Sequence, residues 1–215
     1  MPLEIHVLPV TPFQQNCSII VDESTKKSLI IDAGGEVHRI EAKLKELGAT
    51  IDALWLTHGH LDHAGGANDL SKSTGIDVIG PHEDDQFWLD QMETQAGTFG
   101  LETTGSFKPQ RYLMDDEKLE FQGYEFKVLH CPGHTPGQVV FYQPDQNFLI
   151  AGDVIFLGSI GRTDFPRSNH ADLIDAIKTK VFALPDDCTI YPGHGPTTTV
   201  GQEKATNPYV GKGAM

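Results

Sequence analysis

Three imidazoles and a carboxylate fall within six residues, His58 to His63, in the stretch THGHLDH that follows the apolar run 51–56. An isolated histidine is ordinarily a surface residue or a satisfied core side chain, and this density departs from that expectation. If the segment is extended, His58 and His60 point to one side because side chains alternate along a strand, and Asp62 and His63 lie around the turn beyond. One segment can therefore offer ligands to two adjacent sites. Neutral imidazoles and ionised carboxylates suit zinc or iron(II), whereas an all-oxygen magnesium or calcium site would not use histidines.

Further donors stand at separate places. His134 lies in CPGHTPG, Asp153 in IAGDVIF and His194 in YPGHGPTTT, each in or beside a Gly/Pro turn closely after a strand-like apolar run. Cys131, three residues before His134, reads as a turn or small core residue, with metal ligation or a reactive thiol as the competing reading. Asp32, ahead of Gly34 and Gly35, reads as a turn residue or a support for the ligands rather than a ligand. His82 reads as a surface-loop residue in preference to a substrate contact.

Taken together, THGHLDH, GHT, GD and GHG resemble the signature of the metallo-β-lactamase superfamily, and within it the short glyoxalase II type, the hydroxyacylglutathione hydrolases. The resemblance runs from the N-terminal strands to about residue 199. It implies an α/β fold, a four-layer αββα sandwich with metals at one edge. It also implies His58, His60, His134 and Asp153 on one metal, with Asp62, His63, His194 and the same, bridging Asp153 on a second. Zinc, two ions per chain, is the implied cofactor, with iron or manganese as alternatives. The implied reaction is hydrolysis of S-lactoylglutathione, or a related S-2-hydroxyacylglutathione, to the 2-hydroxy acid and glutathione. Metal-bound hydroxide attacks the thioester carbonyl, and Asp62 both ligates and orients or deprotonates the attacking water.

Residues 158–166, GSIGRTDFP, resemble the segment after the bridging aspartate in glyoxalase II and persulfide dioxygenase relatives. Arg162 within it is the leading candidate to bind the glutathione carboxylates, against a role bracing its loop. The alternative activity is a persulfide dioxygenase with one iron on His58, His134 and Asp153, the two-histidine, one-carboxylate arrangement of non-haem iron(II). Another hydrolysis, including lactam or phosphodiester cleavage, and a non-catalytic metal-binding or interaction protein are the remaining readings.

Length and composition fit this picture. A chain of 215 residues and 23.6 kDa reads as one domain over 1–215, without the C-terminal helical domain of the long glyoxalase II enzymes. With 39% hydrophobic residues it can bury a core unaided by a metal, so a metal here reads as catalytic. Against 30 acidic residues there are 16 Lys and Arg, a net charge of −14, which argues against broad nucleic-acid or anionic-membrane partners. No apolar run approaches the ~18 residues of a membrane span. The 3 cysteines and an N-terminus without a signal-like pattern point to a reducing cytoplasm. The expected partner is a small glutathione thioester; monomer and dimer are equally compatible with these features.

Hydrophobic periodicity predicts the elements that must carry these residues. Strands are expected at 3–10, 17–22 and 28–32, then a helix at Val37–Leu47 stopped by Gly48, and a strand at 51–56. A helix at 64–72, a short strand at Val78–Ile79, a helix at 83–96 and a loop at 97–108 follow. Strands are then expected at 118–121, 124–130, 138–142 and 147–151, a helix at 171–180 capped by Ser168 or Asn169, and a strand at 189–191.

Overall fold

The computed structural model describes residues 2–101, 103 and 105–213, in two compact units, Met1–Leu113 and Met114–Met215. Two residues of the expected loop at 97–108, Glu102 and Thr104, lie outside the described residues. The first unit opens with an antiparallel meander of β1 (Leu3–Val10), β2 (Gln15–Asp22) and β3 (Lys27–Ile31). Helix α1 (Val37–Leu47) then carries the chain to β4 (Thr50–Trp55), which lies parallel to β3. Helices α2 (Leu61–Ala64) and α3 (Ala67–Thr74) lead to β5 (Val78–Ile79), parallel to β4, and complete a five-stranded sheet in the order β1-β2-β3-β4-β5. A 3-10 turn, Glu83–Asp85, precedes α4 (Gln86–Leu89) and α5 (Met92–Phe99).

Helix α1 forms where its periodicity places it. Ile40 and Leu44, four apart, share a buried face, and Gly48 ends the helix at φ 63° with its N–H donating to the carbonyls of Leu44 and Lys45. That face joins Ile19, Val21, Ile30 and Leu54 of the sheet and Leu70 of α3 in one apolar core. Each such side chain contributes roughly 1.5–3 kcal/mol on burial.

The helix expected at 64–72 begins earlier and is broken in two at Gly65 and Gly66. The Gly66 N–H donates to the Ala33 carbonyl at 2.8 Å, so the chain docks on the loop after β3. The helix expected at 83–96 also divides, because Gln91 leaves the helical region at φ −114°, ψ 18°.

In the second unit β6 (Lys118–Phe121), β7 (Tyr124–His130), β8 (Val139–Gln143) and β9 (Phe148–Gly152) form an antiparallel meander. A small hairpin, β10 (Ile155–Phe156) and β11 (Ser159–Ile160), follows. Helix α6 (His170–Ala176) ends in a π-helical turn, Ile177–Val181, and crosses to β12 (Thr189–Pro192), parallel to β9. The edge strand β13 (Thr198–Thr199) runs straight into α7 (Val200–Thr206). The sheet order is β13-β12-β9-β8-β7-β6. Its core joins Leu129, Val140, Leu149 and Ile190 to Leu173, Ile177 and Val181. Among the described residues, no helix is long and apolar enough to cross a membrane.

Strand direction decides where chemistry can gather. In the second unit β7, β9 and β12 run the same way, so the segments after them, bearing His134, Asp153 and His194, leave one edge of the sheet. The parallel β3 and β4 of the first unit likewise deliver Asp32 and THGHLDH from a common edge. Carboxyl ends of neighbouring strands are where open α/β sheets collect ligands.

The β10–β11 hairpin and α7 have no counterpart among the sequence expectations, and a buried carboxylate joins them. Glu203 accepts hydrogen bonds from Thr198 Oγ1 at 2.6 Å, Gly158 N at 3.0 Å and Asn207 Nδ2 at 2.8 Å. Glu203→Leu strands these buried donors and should lower stability by about 2–4 kcal/mol, a few times the ~1 kcal/mol net value of one hydrogen bond. Urea unfolding measures this, and Glu203→Gln should lose less.

Candidate metal centre

In the first unit β4 ends at Trp55, Thr57 lies in a bend, and the backbone is extended at His60, at φ −69° and ψ 150°, before α2 begins at Leu61. His58 and His60 therefore precede the helix, whereas Asp62 and His63 occupy its first turn. The His58 ring centroid is 4.9 Å from that of His60 and 4.0 Å from that of His63. Asp62 Oδ2, on a half-buried side chain, stands 3.8 Å from His63 Nε2. All three histidines are buried.

One carboxylate sets two of these rings. Asp32 Oδ1 accepts the Thr57 N–H at 2.8 Å, and Asp32 Oδ2 accepts the Thr57 hydroxyl at 2.6 Å. With its proton committed there, the Thr57 oxygen accepts from His58 Nδ1 at 3.0 Å. His63 Nδ1 donates directly to Asp32 Oδ2 at 2.8 Å. Both histidines thus carry their proton on Nδ1 and keep the Nε2 lone pair for a ligand. Asp32, His58 and His63 form a tight buried trio, and the hydrogen bonds make Asp32 the support of the rings, as its place before a glycine pair suggested. It adopts φ 59°, a left-handed conformation that aspartate tolerates better than most residues.

The second unit holds the remaining predicted donors. His134 Nδ1 donates to the Arg162 carbonyl at 2.8 Å, which turns Nε2 outward from the loop. That Nε2 lies 3.5 Å from Asp153 Oδ2, and His194 Nε2 lies 3.7 Å from the same oxygen. The loop is gripped from α6: the Ser168 hydroxyl donates to the His134 carbonyl at 2.6 Å, and the Asn169 N–H donates to the Gly133 carbonyl at 2.8 Å. Of the two candidate caps it is Asn169 that caps α6, accepting from Ala171 N at 2.9 Å and Asp172 N at 3.3 Å.

Two glycines allow the backbone that bears the candidate donors to pack closely. A Cβ at Gly34 would lie 1.5 Å from the Asp62 carbonyl oxygen, and one at Gly161 would lie 2.0 Å from that of Asp153. Only hydrogen fits at either place.

Arg162 contributes its main-chain oxygen to His134, while its side chain is exposed and engaged elsewhere. Its Nε donates to Asp164 Oδ1 at 3.0 Å and its Nη2 to Asp164 Oδ2 at 2.7 Å, and its guanidinium stacks 4.6 Å from the Phe165 ring centre. Hydrogen bonding from Arg162 holds the Asp164 carboxyl below the usual range.

Cys131 is fully buried in the apolar core with Leu129 and Val140, burial pushes its thiol up to about 12, and among the described residues it joins none of the clustered metal donors. His82 caps the 3-10 turn by accepting from Asp84 N at 3.3 Å, in keeping with its loop reading. Residue types alone assign no role to Thr57 or to the Arg162 carbonyl. A hydroxyl beside a candidate ligand histidine is a readable signal for the first, but a carbonyl belongs to every residue and leaves none for the second.

The family model for the metallo-β-lactamase superfamily matches residues 10–194. The hydroxyacylglutathione hydrolase GloC of Haemophilus influenzae is 44% identical over 209 residues, covering 97% of this chain and 98% of its own. Among solved structures, the BLEG-1 B3 metallo-β-lactamase is similar with a TM-score of 0.88 at 32% identity, over 96% of this chain and 99% of its own. TTHA1623 in a di-iron-bound form gives a TM-score of 0.86 at 32% identity, over 95% and 99%.

Replacing Asp32 by Asn keeps its size but weakens its hold on both rings. The expected result is a folded protein whose metal affinity falls about 10–100-fold, as for other partners of ligating histidines, measured by titrating the apo-protein against a chelator.

Proposed function

Because the chain belongs to the metallo-β-lactamase superfamily and has its α/β fold, we propose that it hydrolyses glutathione thioesters, S-lactoylglutathione or a related S-2-hydroxyacylglutathione, to the 2-hydroxy acid and glutathione. That the chain is a metallo-hydrolase follows from its family and its histidine and aspartate clusters. The thioester substrate is taken from the name of the GloC relative. The observation that carries the hydrolytic reading is one carboxylate oxygen, Asp153 Oδ2, faced by the Nε2 atoms of both His134 and His194. A shared ligand between two ions needs that arrangement, whereas a single iron held by two histidines and a carboxylate does not use His194.

In this proposal the two units work as one catalytic domain. His58, His60, His134 and Asp153 would hold one ion, and Asp62, His63, His194 and the same Asp153 would hold a second. The donor set fits zinc, because His58, His63 and His134 spend their Nδ1 protons on protein acceptors and leave Nε2 for the metal. When bound, such ions polarise the thioester carbonyl and lower the pKa of water towards about 7. The Asp62 carboxylate would orient the attacking water or accept its proton. The leaving thiolate needs little help, since a thiol pKa is about 8.5. Arg162 meets a glutathione carboxylate by sharing its guanidinium with Asp164. A cytoplasmic setting suits the three buried thiols.

Zinc-reconstituted protein should release acid and free thiol from S-lactoylglutathione, and a chelator should abolish that turnover. His134→Ala and Asp153→Ala should each lose bound metal together with activity. Asp62→Asn should lose one metal equivalent. Oxygen uptake with sulfite formation from a glutathione persulfide, in place of thioester cleavage, would overturn the assignment. For recognition, Arg162→Ala should raise KM for the anionic thioester at unchanged kcat, the signature of lost uniform binding.

A further inference from the structure

We infer that Asp85, Trp88 and Gln95, on the segment that follows β5, are positioning residues for the His60 imidazole; the inference rests on the metal-dependent reading above. The main chain on either side of His60 is held by acceptors from that segment. The Gly59 N–H donates to Asp85 Oδ2 at 2.8 Å, and the Leu61 N–H donates to Gln95 Oε1 at 2.9 Å. Gln95 Nε2 in turn donates to the Trp88 carbonyl at 2.9 Å, which ties the two grips together. The Trp88 ring meets the His60 ring edge to face, with centroids 4.5 Å apart and planes at 77°.

The physical need is clear from the local structure. His60 sits where an extended segment turns into α2, and Leu61 is the first helical residue, whose N–H has no partner within its own helix. Gln95 supplies the acceptor. Gly59 lets the segment approach: a Cβ there would lie 2.9 Å from the Asp85 carbonyl oxygen and 2.9 Å from Trp88 Cβ. Asp85 is fully buried and Trp88 nearly so, so the grip lies out of competition with bulk water. It is separate from the Asp32 and Thr57 contacts, which hold His58 and His63. His60 belongs to the proposed first ion and not to the second, so loosening this grip weakens one ion selectively.

The test is a cobalt(II) titration of the apo-protein against a competing chelator, following each equivalent by its visible absorption, with urea unfolding on the same samples. Gln95→Leu should bind the first ion about 10–100-fold more weakly and the second as before. Gln95→Glu, which keeps an acceptor for Leu61 N but cannot donate to the Trp88 carbonyl, should recover only part of the loss. Gln91→Ala, on the same segment with its amide on the Phe87 carbonyl at 2.9 Å, should match the unaltered chain. If Gln95→Leu does not fold, Asp85→Asn decides the matter through a smaller loss at the first ion alone. Unchanged affinities, or equal weakening of both ions, in a folded variant would overturn the inference. Cobalt binding without any thioester cleavage by the unaltered chain would instead overturn the substrate reading and leave this one to the titration.

Discussion

A histidine presents a lone pair from one ring nitrogen only while its proton sits on the other, and much of this structure serves that requirement. Asp32 accepts the Nδ1–H of His63 directly and orients Thr57 to accept that of His58, while the Arg162 carbonyl accepts that of His134. The acceptors differ in kind but have the same effect: each fixes a tautomer and a ring orientation before any ion arrives. Without them a buried imidazole would sample both tautomers, and each wrong one would point a proton where a metal is needed.

Holding those acceptors in place explains local features that otherwise look costly. Asp32 accepts a left-handed backbone. Gly34 and Gly161 give up side chains so that the carbonyls of Asp62 and Asp153 can pack against them. The helix after THGHLDH breaks at two glycines so that the Gly66 N–H can reach the Ala33 carbonyl. Each departs from what local propensity prefers, and each lies beside a proposed ligand in space or in sequence. The strain is placed where precise positions matter and is offset by the cores beneath, Ile30 and Leu54 with α1, and Leu149 and Ile190 with α6.

The charge pattern accords with the chemistry. A chain of net charge −14 repels anions at long range, yet its proposed ligands are mostly neutral imidazoles with few carboxylates. Divalent ions bound there leave a locally positive centre, because the ion is the largest charge in such a site. The anionic thioester proposed as substrate would then be attracted at short range by a protein that offers little general affinity for anions. The exposed Arg162–Asp164 pair, neutral as a whole and screened by water, adds little to either effect until the arginine is shared with a substrate carboxylate.

Much of this was legible from residue types and spacing. The density of THGHLDH, the Gly/Pro turns around His134 and His194, and the apolar runs before them pointed to a metal-dependent α/β protein. Helix Val37–Leu47 and strands Lys118–Phe121 and Tyr124–His130 stand where periodicity put them, because each buries a regular apolar face and ends at a turn signal. Asp32 before its glycine pair already read as a support. What sequence could not supply were partnerships across long stretches of chain between groups whose types are common: the carbonyl of Arg162 under His134, Gln95 on the N–H of Leu61, Asp85 on that of Gly59, and Glu203 beneath a hairpin that periodicity did not reveal. Side-chain chemistry and local periodicity are written residue by residue, so the candidate ligands and most elements were determined by the sequence itself. Which main-chain donor meets which distant acceptor depends on strand direction and helix packing, and only the tertiary structure decided that.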